Sequence, residues 1–188
     1  MLAQGLDNAL DDPAQLRAAA LELNYRSYDF GHCVFHGIAV GEPTRGLIDL
    51  FREIFPRLSS TVSFFRKSPV GQVEPHFIHS DVDMGEWSAI LYLNENPPAE
   101  DGTCFWTHRS TGAIGSSVPH ERSEEGKDAG NWDLRMRVNS RFNRLLVFPS
   151  WYFHSRSIGE NWGQGRDARL IQVVFGTGEL TPYRGGNS

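Results

Sequence analysis

The chain reads as a mainly β protein, a sandwich or barrel with two helices packed on its outside. Three observations carry that reading. Helical periodicity is confined to the first 56 residues; from residue 57 onward the apolar residues come in short β-branched and aromatic runs bounded by Gly, Pro, Asn and Asp; and 188 residues suffice for one sizeable core.

In chain order, DDPAQLRAAALELN (11–24) places Asp before Pro13 at a first helical turn and then Leu16, Ala20 and Leu23 on one face, the pattern of an amphipathic helix. The stretch YDFGHCVFHG (28–37) reads as a short strand and turn. A second helix is expected over PTRGLIDLFREIFP (43–56), with Pro43 near its start and Leu47, Ile48, Phe51, Ile54 and Phe55 at helical spacing until Pro56 stops it. Strands follow at LSSTVSFFRK, SAILYLN, TCFWTH, NRLLVFP and RLIQVVFG. The segment 107–141, polar and turn-rich around GSSVPHERSEEGKDAGN, is expected to be a long excursion that acts as a lid. One domain over 1–188 accommodates this, with a helical lead-in at about 10–56 and a β core at about 57–178.

Composition excludes several partners. A net charge of −5 with scattered Lys and Arg leaves no footprint for nucleic acid, and no stretch approaches a membrane span. Two cysteines, Cys33 and Cys104, are too few for a disulfide framework, which points to a reducing cytoplasm. All five tryptophans lie between Trp87 and Trp162, so the second half is expected to carry a pocket.

The chemistry concentrates in HFIHSDVDMGEW (76–87), directly ahead of the apolar SAILYLN. Residues two apart on a strand share a face, so His79 and Asp81 project into one space, whereas His76 falls outside that set. His154, at the end of NRLLVFPSWYFH, supplies a second imidazole. Two histidines and one carboxylate form a facial triad that leaves about three adjacent positions free on a non-haem iron. Arg169 opens RLIQVVFG, and a guanidinium buried in such a strand requires a carboxylate partner.

The segments HSDVDMGEWSAILYLNENPPAEDGTCFW, NRLLVFPSWYFH and RLIQVVF together resemble the Fe(II)/2-oxoglutarate-dependent dioxygenases of the prolyl-4-hydroxylase-like branch. DDPAQLRAAAL, FHG and GTCFWTHRSTG are similar to small bacterial members. The likeness extends from about residue 10 to 176. It implies a double-stranded β-helix, or jelly roll, supported by N-terminal helices, with iron bound by His79, Asp81 and His154 at the open end. It further implies Tyr92 as a hydrogen-bond donor to the distal carboxylate of 2-oxoglutarate and Arg169 as its salt-bridge partner, with Arg166 as the rival because it follows a glycine. Asp101 stands where the family has Gly, and a left-handed turn conformation there would accommodate it. The implied activity is hydroxylation of a small molecule, amino acid or peptidyl residue, with 2-oxoglutarate and O2 converted to succinate and CO2. A cupin-type metalloenzyme and a non-catalytic jelly-roll binding module are the alternatives. Trp106, His108 and Arg109 are candidate pocket residues, and Cys104 is a small core residue.

Overall fold

The computed structural model describes residues 3–31, 33–54, 57, 59–74, 77–119, 124–157 and 160–178. Among the described residues, ten strands and two α-helices follow in the order β1 (Gln4–Leu6), α1 (Pro13–Leu21), β2 (Arg26–Asp29), β3 (Val34–Val40), α2 (Arg45–Ile54), β4 (Ser59–Ser68), β5 (Trp87–Tyr92), β6 (Gly102–His108), β7 (Trp132–Asn139), β8 (Arg144–Pro149), β9 (His154–Arg156) and β10 (Arg169–Thr177). They build two antiparallel sheets, a large one in the order β1-β8-β5-β10-β4-β3-β2 and a small one in the order β7-β6-β9. This is the helix-supported jelly roll expected from the sequence.

Both helices form where predicted, with shifted ends. Asp12 caps α1 by accepting from the Gln15 backbone N–H at 3.0 Å, Pro13 takes the first turn, and the helix stops at Leu21. α2 begins at Arg45, with Thr44 Oγ1 accepting from Leu47 N, so Pro43 lies just outside it. Phe55 and Pro56 lie outside the described residues. The expected strand and turn at 28–37 is part of a hairpin, β2 paired with β3.

Strand alternation divides the large sheet into two faces. Leu170 and Val174 of β10, with Phe65, Ala89, Leu91, Leu145 and Val147, pack against Ala20, Leu47 and Phe51 of the helices. Ile171, Val173 and Phe175 of the same strand point the other way, joining Ile90, Tyr92, Leu146 and Phe148 against Phe105 and Tyr152 from the small-sheet side. The site is built on this second, inner face.

Two features correct the expectations. Part of the 107–141 excursion is regular: residues 132–139 form β7, the antiparallel partner of β6 with one register shift between Phe105 and Trp106, and a loop connects the two strands. Within that loop, Gly126 presses on the backbone ahead of His79; a Cβ there would lie 2.0 Å from the Ile78 carbonyl oxygen, and Ile78 N donates to Gly126 O at 3.2 Å. At the turn into β6, Gly102 rather than Asp101 takes the positive φ, 151°, with Val138 O placed 2.1 Å from where a Cβ would sit.

Candidate metal centre

His79 and His154 face each other as an isolated antiparallel bridge, His79 N donating to His154 O at 3.0 Å and His154 N to His79 O at 2.8 Å. The HSD segment is thus pinned to the start of β9 ahead of β5, rather than forming the first residues of β5 as a continuous strand would. Asp81 N donates to Ser150 O at 2.8 Å, and Met84 N to Asp81 O at 2.9 Å, so the chain turns immediately after the carboxylate. The two-residue spacing still delivers both side chains to one side.

Three ligand atoms, one each from His79, Asp81 and His154, lie within 4.8 Å of one another. His154 Nε2 is 3.1 Å from Asp81 Oδ2, and His79 Nε2 is 3.5 Å from Asp81 Oδ1. The opposite ring nitrogens are engaged elsewhere: Nδ1 of His154 lies 2.9 Å from Tyr152 O and that of His79 3.3 Å from Phe77 O. A backbone acceptor at Nδ1 holds a proton on that nitrogen, so each Nε2 faces the carboxylate, donating to it when protonated and offering its lone pair to a metal once that proton is lost. Phe148 packs edge-on against the His154 ring at 4.8 Å and fixes its plane. The donor set fits a divalent ion of the imidazole and carboxylate class.

Electrostatics bind the three together. Burial works to raise the Asp81 pKa, but the His154 and His79 charges, a hydrogen bond from His154 and the Arg66 charge outweigh it and hold the carboxyl below its ordinary range. Burial likewise pulls the His154 imidazolium down, and Asp81 with the Tyr152 carbonyl reverses the balance, raising it.

The triad lies in the wall of a cavity of about 470 Å³. Of the sequence candidates, Arg169 lines this cavity, buried at the start of β10, with Nε donating to Asp101 Oδ1 at 2.9 Å; both side chains are about 5% exposed or less. The carboxylate partner required by a buried guanidinium is therefore the protein's own Asp101. Tyr92 is buried in the inner-face cluster, its hydroxyl 2.7 Å from Thr103 Oγ1, a lining residue, and burial pushes its pKa up to about 12, so it stays neutral. Arg166 lies on the surface, 66% exposed, bonded to Glu22 at 3.2 Å, and does not line the cavity. Trp106 donates to Ser155 Oγ, His108 pairs with Glu125, and Arg109 with Asp133; these three pack the small sheet and its loop rather than the cavity. Cys104 is buried in the small-sheet cluster. His76 lies outside the described residues.

Sequence reading missed three cavity residues. Arg66 of β4 is bonded to Glu74, which also accepts from Asn161 Nδ2 at 2.9 Å. Burial, and after the opposing Glu74 charge the neighbouring Arg169, holds the Arg66 pKa below its ordinary value; Arg156 is depressed by burial, with Arg169 and Arg66 adding to the effect. A signal for Arg156 was present: it follows His154 by two, the same alternation that coupled Asp81 to His79.

No family model matches the chain, and no curated protein matches it. Among solved structures, the chain is similar to the non-heme alpha ketoglutarate dependent carbocyclase SnoK from nogalamycin biosynthesis, with a TM-score of 0.60 and 14% identity over 92% of this chain and 78% of that one. HygX from Streptomyces hygroscopicus, solved with nickel and 2-oxoglutarate bound, gives a TM-score of 0.56 and 14% identity over 97% and 85%. A Pseudomonas putida prolyl-4-hydroxylase gives 0.50 and 16% over 95% and 94%. At such identities the likeness is one of fold, and the fold is that of the 2-oxoglutarate-dependent non-heme enzymes.

Proposed function

We propose that the chain is an Fe(II)/2-oxoglutarate-dependent dioxygenase in which His79, Asp81 and His154 hold the iron and Arg169 anchors the co-substrate. The observation that carries this reading is the convergence of three ligand atoms within 4.8 Å in the wall of a cavity that Arg169 also lines. With Fe(II) bound, the chemistry supplied is oxidative decarboxylation of 2-oxoglutarate by O2 to succinate and CO2, coupled to hydroxylation of a substrate C–H bond.

Charge supports a dianionic co-substrate. Three guanidiniums, Arg66, Arg156 and Arg169, line the cavity with the Glu74 carboxylate, and Asp101, which is not a lining residue, holds Arg169. A divalent ion on the Asp81 carboxylate would add positive charge to this cluster of cations. A dicarboxylate is the complementary ligand, since buried charge is tolerated only when compensated. Asp101 fixes the guanidinium plane from its Nε edge, leaving the terminal nitrogens to hold a carboxylate through paired hydrogen bonds. Tyr92, neutral across the working pH range, orients Thr103 beside that position. Metal and 2-oxoglutarate in HygX, and Fe3+ with alpha ketoglutarate and nogalamycin RO in the epimerase SnoN, are the corresponding ligands in proteins of this fold.

Anaerobic addition of Fe(II) and 2-oxoglutarate should produce a weak visible charge-transfer absorption, and aerobic incubation a slow succinate release without added substrate. His154→Ala should abolish both. Arg169→Leu should raise the 2-oxoglutarate concentration needed by about 10² or more, the loss of a charge-assisted pair, while Arg166→Leu should leave it unchanged. Succinate release that persists in His154→Ala rules the reading out.

A further inference from the structure

The cavity has two ends of opposite character. Its inner end holds the triad and the guanidinium cluster. Its outer wall is made by the β2–β3 hairpin with β4 and β10, and there the side chains are apolar: Tyr28, Phe30, Phe35, Val40, Val62 and Phe64. Among the described lining residues, the one charged side chain outside the inner end is Asp83, which is exposed. Four of these hydrophobics are exposed to water, Phe30 at 60%, Val40 at 67%, Tyr28 at 37% and Val62 at 39%. Isolated exposed hydrophobics need no explanation, but a contiguous set lining a concavity that leads to a metal centre does.

We infer that the primary substrate of the proposed dioxygenase presents an uncharged, ring-sized apolar body to this wall; the inference rests on the iron reading for what is done to the substrate, though not for its binding. Two aromatic pairs frame the wall, Phe30 with Phe35 edge-on at 5.7 Å and Phe64 with Phe175 tilted at 6.1 Å. Rings set at angles offer both a face and an edge, the geometry that accepts a flat apolar ring. A cationic group docked here would lose its hydration opposite only the solvent-facing Asp83, with the Arg66 guanidinium 5.9 Å from the Phe35 ring repelling it, which disfavours polycationic sugars. The cavity volume, about 470 Å³, is in the range of small-molecule sites, which favours a compact ligand over an extended peptide. Once bound, such a body covers the mouth and removes Phe30 and Val40 from water, so that its reactive C–H lies between wall and metal.

The probe is N-phenyl-1-naphthylamine, a neutral fluorophore that brightens in apolar surroundings, titrated into the full chain without metal. Saturable binding at one site is expected, weakened about tenfold by Val40→Asp and by Phe30→Asp, each at a mouth position exposed enough to leave folding intact, which circular dichroism checks. Hygromycin B and a proline-rich peptide should fail to displace it. Binding that is indifferent to both aspartate variants, or displacement by the sugar or the peptide, overturns the inference. His154→Ala separates the two readings: a charge-transfer absorption without probe binding sinks the substrate class alone, whereas probe binding equal in wild type and His154→Ala with no absorption in either sinks the iron reading and leaves the apolar site standing.

Discussion

Asp101 shows how one side chain takes on a role that its sequence position conceals. Where a glycine would make the turn, Gly102 makes it instead, and the carboxylate turns inward to hold Arg169. Removing one member of a buried pair leaves the other charge uncompensated, which costs about 3–5 kcal/mol. Asp101→Ala should therefore lower the urea unfolding free energy by roughly that amount, and the Asp101→Ala, Arg169→Leu double variant should recover a large part of it. If the double variant is as unstable as the sum of the singles, the two residues are not energetically coupled and the pairing does not matter. The pairing of His79 with Asp81 was legible because a period of two needs only local sequence, and His154 because it follows an apolar run, although it opens β9 rather than ending β8. Arg66 was not legible, since SFFRK reads equally well as a strand with a solvated end; its partner Glu74 sits beyond a turn and is brought near by tertiary packing alone.

Among the elements, the five strands read from apolar runs all form, and those missed are the ones whose sequence carries little apolar signal. β7, WDLRMRVN, is mostly exposed because it lies at the edge of the small sheet with arginines facing solvent, so its alternation was submerged in the polarity of the excursion around it. β1, three residues long, is held by register to Leu145–Val147 and not by a pattern of its own. The remaining loop, expected as a lid, does structural work at its C-terminal end, where Gly126 abuts the Ile78 carbonyl next to His79. A side chain at 126 has to displace that backbone. Gly126→Val should weaken Fe(II) binding by about 10–100-fold, the usual effect of disturbing the support of a metal ligand, with the circular dichroism spectrum retained. Unchanged metal affinity in this variant would show that the loop is dispensable to the triad.

Across the whole molecule, the buried charges of the cavity make stability depend on pH in a definite direction. Burial works to raise the Glu74 pKa, but the Arg66 charge, the Asn161 hydrogen bond and the charges of Arg156 and Arg169 prevail and place it below 4.5. A carboxylate whose folded pKa is depressed binds fewer protons folded than unfolded, so its contribution is complete above about 4.5 and is lost as pH falls through the lower folded value. Asp7, which ties the start of the chain to Arg144 and Arg141, is depressed in the same direction, first by its hydrogen bond from Arg144, but it is about one third exposed and solvent screens most of the effect. Glu74→Gln should thus cost about 1–3 kcal/mol at pH 7, the range for disturbing a charged buried hydrogen bond, and its deficit against wild type should shrink steadily below about pH 4.5. Asp7→Asn should show a much smaller deficit at neutral pH. Urea unfolding at a series of pH values distinguishes the cases: a Glu74→Gln deficit that stays constant to pH 3 would mean that the side chain contributes by shape and hydrogen bonding, and that the charge balance of the inner cavity does not govern folding.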